Sequence, residues 1–194
     1  MSDGEGDQAV PTGTLMSGKR GLIMGVANNR SIAYGIAKAV IAQGAEIALT
    51  YQGDALKKRV EPIAKDLGCN VVLPCDVTDG RSMDAVFDHL KSEWGRLDFL
   101  VHAIAYSDKN ELDGRYVDTS EENFTQTMLV SCYSFTALAK RAETLMTDGG
   151  SLLTLTYYGA EKVMPHYNVM GIAKAALEAS VRYLAADLGP KKIR

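Results

Sequence analysis

The chain has 194 residues, enough for one domain with a substantial core. Hydrophobic residues make up 46% and charged residues 23%, an ordinary globular composition, and the formal net charge is −3. That balance argues against a nucleic-acid binder, which shows a basic face. No apolar run reaches membrane-spanning length, and the N-terminus lacks the basic and apolar regions of a signal peptide.

Residues 1–17 are polar, glycine-bearing and without periodicity, and are expected to form a disordered tail ahead of a single domain over residues 18–194. Short apolar runs then alternate with helical patterns. Gly21 to Met24 reads as a first strand. Ser31 to Gln43 carries Ile32, Ile36, Ala37, Val40 and Ile41 at helical spacing, and Gly44 closes it. Glu46 to Tyr51 is a second strand and Asp54 to Leu67 a charged helix stopped by Gly68. Asn70 to Leu73 is a third strand, Arg81 to Trp94 a third helix, and Leu97 to Val101 a fourth strand. One long helix is expected from Ser120 to Met146, a fifth strand from Ser151 to Thr156, and a final helix from Tyr167 to Leu188. Alternation of this kind implies a Rossmann-like α/β fold, a doubly wound parallel sheet with right-handed crossovers. Ligands of such sheets bind at the carboxyl ends of the strands, where the strand order reverses.

The residues after each strand therefore matter most. Gly25 to Gly35 follows strand one and leads into a helix, where backbone N–H groups can hold a pyrophosphate. The spacing is not Gly-x-Gly-x-x-Gly, and a plain β–α turn is an equal reading; the Ser31 hydroxyl can bond a phosphate or cap the helix. Gln52 follows strand two, where an acid often holds the adenosine ribose. Asp76 follows strand three and suits either an adenine amino group or a helix N-cap. His102, Ala103, Ile104, Ala105, Tyr106 and Ser107 follow strand four and are small and apolar enough at their start to lie along a flat ring.

Tyr167 and Lys174 stand seven residues apart. On a helix that is about 20° short of two turns and roughly 10.5 Å along the axis, so both share a face. A phenol there can donate to a carbonyl oxygen that is becoming an oxyanion, and an ammonium can grip a cofactor sugar hydroxyl. The same pair also fits an amphipathic helix with an incidental Tyr and a solvated Lys. Tyr158 and Lys162 fit the Tyr-x-x-x-Lys pattern of ordinary short-chain dehydrogenases but fall in an expected loop, and Leu145 stands where that pattern needs Ser. Thirteen residues before Tyr167 is Thr154, while Gly171 occupies the place four residues after it where Lys belongs.

Cys69, Cys75 and Cys132 lack metal-ligand spacing and read as buried thiols in a reducing cytoplasm; no metal is expected. His89, His102 and His166 read as structural or surface residues.

Together, Gly25-x5-Ser31-Ile32-Ala-Tyr-Gly35, Thr50-Tyr51-Gln52, Cys75-Asp76-Val77, Leu112-Asp113-Gly114 and Tyr157-x9-Tyr167-x6-Lys174, with Asn-Val-Met-Gly between the last two, resemble the NADH-dependent enoyl-[acyl-carrier-protein] reductases of bacterial fatty-acid synthesis, a divergent branch of the short-chain dehydrogenases. The resemblance covers residues 16–194. It implies NADH contacts at Gly25, Ser31, Ile32, Gln52, Asp76, Val77, Ile104 and Lys174, and a substrate pocket near Tyr106, Ser107, Tyr157 and Tyr167, with Tyr157, Tyr167 and Lys174 serving the reaction. It also implies an acyl-carrier-protein thioester as substrate, a cytoplasmic homotetramer, and C-terminal strands beyond Arg194 that this chain lacks. A short-chain 3-ketoacyl reductase, disfavoured by Gly171, and a non-catalytic dinucleotide-binding module are the alternatives.

Overall fold

The computed structural model describes residues 10–194. Five parallel strands form one sheet: β1 (Arg20–Met24), β2 (Glu46–Tyr51), β3 (Val71–Pro74), β4 (Phe99–His102) and β5 (Ser151–Thr154). Their order is β3-β2-β1-β4-β5, so the chain reverses direction across the sheet between β1 and β4. Gly21 to Met24 pair in register with Phe99 to His102, which brings Gly25 and Ala103 side by side at the switch point.

Alternate residues of these strands face opposite layers, because strand side chains have a period of two. Leu22, Met24 and Leu100 pack beneath α3 (Gly80–Trp94) and α5 (Ser134–Ala142). Ile23, Leu49 and Val101 pack beneath α1 (Ile32–Ala42) and α2 (Gly53–Asp66). Leu22, Ile23, Leu49 and Leu100 are wholly removed from solvent, and each such side chain contributes about 1.5–3 kcal/mol. The last helix, α6 (Asn168–Leu188), lies on the α5 side and packs Leu177 against Cys132 and Phe135.

The expected long helix is interrupted. It consists of α4 (Glu121–Met128), a π-helical segment (Leu129–Tyr133) and α5. Such segments insert an extra residue into the helical ladder and recur at functional sites. Of the expected tail, residues 1–9 lie outside the described residues. Residues 11–16 are fastened to the end of α1: Gly13 N donates to Ala42 O and Met16 N to Gln43 O, while Gln43 Nε2 donates to Pro11 O. Met16 packs beside the α1 core, so ordered chain begins ahead of residue 18. Beyond β5, Gly150 bridges in parallel to Ile193, and Leu152 N donates to Arg194 O.

Candidate active site

A cavity of about 700 Å³ runs along the carboxyl ends of β1 to β4, within the size range of small-molecule sites. Gly25, Gln52, Asp76, Val77, Ile104 and Tyr106 all line it. Gly25 has φ +98°, and a Cβ there would stand 2.0 Å from the carbonyl oxygen of Ala103. Only glycine lets the tips of β1 and β4 approach this closely.

Ser31 occupies the N-cap position of α1, but its hydroxyl makes no cap bond. It donates instead to Asn28 O at 2.6 Å, which folds the 27–31 turn back on itself. Ile32 opens the helix with 67% of its surface exposed. The first turn of a helix presents N–H groups without intrahelical partners, a place for anionic oxygens.

Gln52 Nε2 donates to Asp76 Oδ2 at 3.0 Å, joining the turns after β2 and β3 into one wall. Thr78 donates to the other Asp76 oxygen through both its backbone N and its hydroxyl. Burial draws the Asp76 carboxyl upward, but these hydrogen bonds outweigh it and hold it below the usual carboxylate value. The N-cap of α3 is Asp79, whose carboxylate accepts from Arg81 N, so Asp76 remains available at the cavity. The set fits the adenosine half of a dinucleotide: an anion seat at α1, a fixed amide and carboxylate at β2 and β3, and apolar Val77 and Ile104.

A second group gathers where β5 meets α6. Lys174 is buried, and its Nζ donates to Leu155 O at 2.7 Å. Burial lowers its pKa, and nearby Cys132 partly offsets this. Tyr157 and Tyr167 meet edge to face, ring centroids 4.9 Å apart. Burial, helped by Tyr157, raises the Tyr167 phenol above its ordinary value, which keeps the proton on a prospective hydrogen-bond donor. Tyr167 is the N-cap of α6 rather than a residue within it. The shared helical face expected of Tyr167 and Lys174 is therefore not how they are related. They come together through the segment 155–157 instead.

The reason lies beside Tyr167. His166 has φ +58° and Asn168 φ +32°, conformations that Asn and His adopt more readily than most residues. Asn168 Nδ2 lies 3.2 Å from Glu111 O and 3.4 Å from the carbonyls of Asp113 and Gly114, while His166 pairs with the Asp113 carboxylate. This sharp entry to α6 ties Tyr167 to the loop that follows β4.

The π segment links the two groups. Val130 lines the cavity, and Cys132 neighbours Lys174. The fully buried Ser131 hydroxyl donates to Tyr106 O and accepts from Tyr106 N, each at 3.0 Å. Ser107 is fixed by donating to Asn123 Oδ1 and accepting from Thr127. Ser131 and Asn123 carry no sequence signature, because each acts on a backbone far away in the chain; Asn168 stands in the Asn-Val-Met-Gly stretch, but its hold on the carbonyls of 111–114 is not readable from it. Tyr157, Tyr167 and Lys174 do not border the cavity beside Gln52 and Asp76.

The other candidates divide as their surroundings dictate. Tyr158 begins a 3₁₀ turn (Tyr158–Ala160), and Lys162 Nζ lies 5.2 Å from its ring centroid in an exposed loop. Thr154 is held by His102, whose buried ring also meets Ser134 Oγ at 2.8 Å. Gly171 has a steric cause, since a Cβ there would stand 2.8 Å from Gly159 O. All three cysteines are buried and free. Among the described residues, no three His, Cys, Asp or Glu side chains cluster as metal ligands, and no helix is long and apolar enough to cross a membrane.

The five-stranded parallel sheet, with its cavity at the switch between β1 and β4, is that of a Rossmann-like α/β protein. The enoyl-(acyl carrier protein) reductase family model matches residues 25–194. The chain is 71% identical over 180 residues to "Enoyl-[acyl-carrier-protein] reductase [NADH] 1" of Rhizobium meliloti, covering 93% of this chain and 66% of that one. It is 58% identical to the NADH enoyl-[acyl-carrier-protein] reductase of Rickettsia felis, over 93% of this chain and 69% of that one. The crystal structure of the Anaplasma phagocytophilum enoyl reductase in complex with NAD superposes with a TM-score of 0.93 at 65% identity, covering 95% of this chain and 71% of that one. The chain belongs to the enoyl-[acyl-carrier-protein] reductase family. It spans about two thirds of the length of these relatives.

Proposed function

We propose that the protein reduces the trans-2 double bond of enoyl thioesters carried on acyl carrier protein, with NADH as coenzyme, in bacterial fatty-acid elongation. The observation that carries this reading is the gathering of Tyr157, Tyr167 and Lys174 about the segment that follows β5. The names of the relatives support it, as does the NAD in the Anaplasma phagocytophilum structure.

NADH, when bound, supplies the hydride, which C3 of the enoyl group accepts. This chain's residues do the rest. Gln52, Asp76 and Val77 take the adenosine side, and Gly25, Ser31 and Ile32 leave the turn before α1 open to the pyrophosphate. Ile104 provides an apolar surface for the nicotinamide, and Lys174 reaches its ribose. As C3 accepts hydride, negative charge moves to the thioester oxygen. The Tyr167 hydroxyl donates to that oxygen and stabilises the enolate, with Tyr157 bracing its ring. Such a preorganised donor contributes most where charge develops. Tyr106 and Ser107, both fixed from α4 and the π segment, shape the acyl side. A proton then adds at C2.

The 3-ketoacyl reductase alternative wants a Lys at Gly171, and Gly159 O fills that space. We further propose a homotetramer, supported by the 59% exposed Tyr133 and 37% exposed Phe124 on the α4–α5 stretch. A cytoplasmic location agrees with the three free, buried thiols. Incubation of the complete protein with NADH and a trans-2-enoyl thioester of acyl carrier protein, read by mass spectrometry, is expected to show gain of two hydrogens on the acyl chain; an unchanged acyl chain refutes the reading.

A further inference from the structure

We propose that Gly159 is a positioning residue for Tyr167: the missing side chain at 159 is the seat of the phenol ring. Gly159 sits in the 3₁₀ turn between β5 and α6. It is not one of the glycines with positive φ, so its backbone conformation is open to any residue. What demands glycine is space. A Cβ at 159 would stand 2.4 Å from Tyr167 Cδ1, 2.7 Å from Cε1 and 3.4 Å from Tyr157 Cδ1. Ordinary contact begins at 3.4 Å, so the ring would have to yield by about 1 Å, a misplacement on the order of that which costs 10²-fold in rate.

The ring has little room to yield. Tyr157 stands edge-on against it at 4.9 Å between centroids. From the other side the turn is held by α6, where a Cβ at Gly171 would stand 2.8 Å from Gly159 O and 3.6 Å from Tyr167 Cδ1. The two glycines form one close-packed contact: Gly171 admits the Gly159 carbonyl, and Gly159 admits the Tyr167 ring. The cofactor-side residues Gln52 and Asp76 lie elsewhere, on the cavity wall, and Lys174 is held by Leu155 O, ahead of the turn, whereas the atoms nearest a Cβ at 159 belong to Tyr167 and Tyr157. A methyl group at 159 thus moves the oxyanion donor and leaves coenzyme binding alone.

This inference rests on the role proposed for Tyr167, and a double-variant comparison separates the two. The complete protein, Gly159→Ala, Tyr167→Phe and the double variant are compared by kcat with a crotonyl thioester and by NADH titration. Gly159→Ala is expected to lose about 10²-fold in kcat with NADH affinity unchanged. In the Tyr167→Phe background the same substitution is expected to change kcat by less than about 2-fold, because residues that act through one contact are not additive. Equal losses in both backgrounds, loss of NADH binding in Gly159→Ala, or a wild-type kcat for Gly159→Ala alone each overturn it. A wild-type kcat for Tyr167→Phe overturns the role of Tyr167 and this inference together.

Discussion

The ammonium of Lys174 donates a 2.7 Å hydrogen bond to the carbonyl of Leu155, two residues before the tyrosine whose ring abuts Tyr167. This contact anchors the end of β5 to the second turn of α6 and places the lysine and both phenols around one short segment. Tyr167→Phe removes the oxyanion donor and is expected to lower kcat by about 10²–10³ with little change in NADH affinity. Lys174→Ala is expected to weaken NADH binding as well. Tyr158→Phe and Lys162→Ala, in the exposed loop, should be nearly silent. Steady-state kinetics with NADH titrations check all four; loss of turnover in the second pair and not the first contradicts the assignment.

The coenzyme preference follows from the wall formed by Gln52 and Asp76. Asp76 accepts from Gln52 and stays ionised below the usual carboxylate range. A 2′-phosphate placed there meets a carboxylate, and among the described residues that line the cavity there is no Lys or Arg to offset it, an unfavourable pairing. Lys57, in α2, pairs with Glu61 instead. NADH is expected to be preferred over NADPH by kcat/KM, and Gln52→Arg to shift the ratio toward NADPH. Because the new guanidinium would sit beside Asp76, Gln52→Arg with Asp76→Asn should shift it further. Rates with both coenzymes decide; equal or greater efficiency with NADPH in the unmodified protein contradicts this.

His102 gives the fold a pH dependence. Burial, together with the charge of Lys174, pushes its pKa down from 6.5 to about 4. The unfolded chain thus binds a proton that the folded chain refuses between those values. Stability is full above about pH 6.5 and falls as pH drops toward 4, by about 3 kcal/mol at the lower end. Asp76 and Glu111, both held below their ordinary values, lose their contributions at lower pH still. Thermal midpoints measured from pH 7 to 5 should fall, and His102→Gln should flatten that slope whatever it does to stability at pH 7. An unchanged slope in the variant contradicts the account.

The sheet was legible in the sequence, because each of β1 to β5 is an apolar run placed between helical patterns. β2 begins and ends where expected, at Glu46 and Tyr51. The cavity wall was legible too, since Gly25, Gln52, Asp76 and Ile104 all follow strand ends. What escaped is set by contacts between distant residues. The π segment at Leu129–Tyr133 leaves the apolar spacing of a long helix intact, so nothing in the pattern marks it. The left-handed turns at His166 and Asn168 depend on Asp113 and on carbonyls some 55 residues earlier. For that reason Tyr167 lies outside the helix that the sequence pattern places it in.

Assembly is open to direct measurement. Of the apolar residues on the α4–α5 stretch, Phe135, Leu138 and Leu145 are buried in the core, whereas Phe124 and Tyr133 face outward. The outward pair suits a symmetric interface between copies. Sedimentation of the complete protein at micromolar concentration is expected to give a tetramer, and a monomer would contradict it.

The β5–α6 group is proposed to serve reduction of a carbon–carbon double bond by NADH, and not of a carbonyl. NADH oxidation by the complete protein, followed with a crotonyl thioester and, separately, with the matching 3-ketoacyl thioester, tests it most directly. The account predicts rapid NADH consumption with crotonyl and none above background with the 3-keto compound. Consumption with the 3-keto compound alone, or with neither, would contradict it.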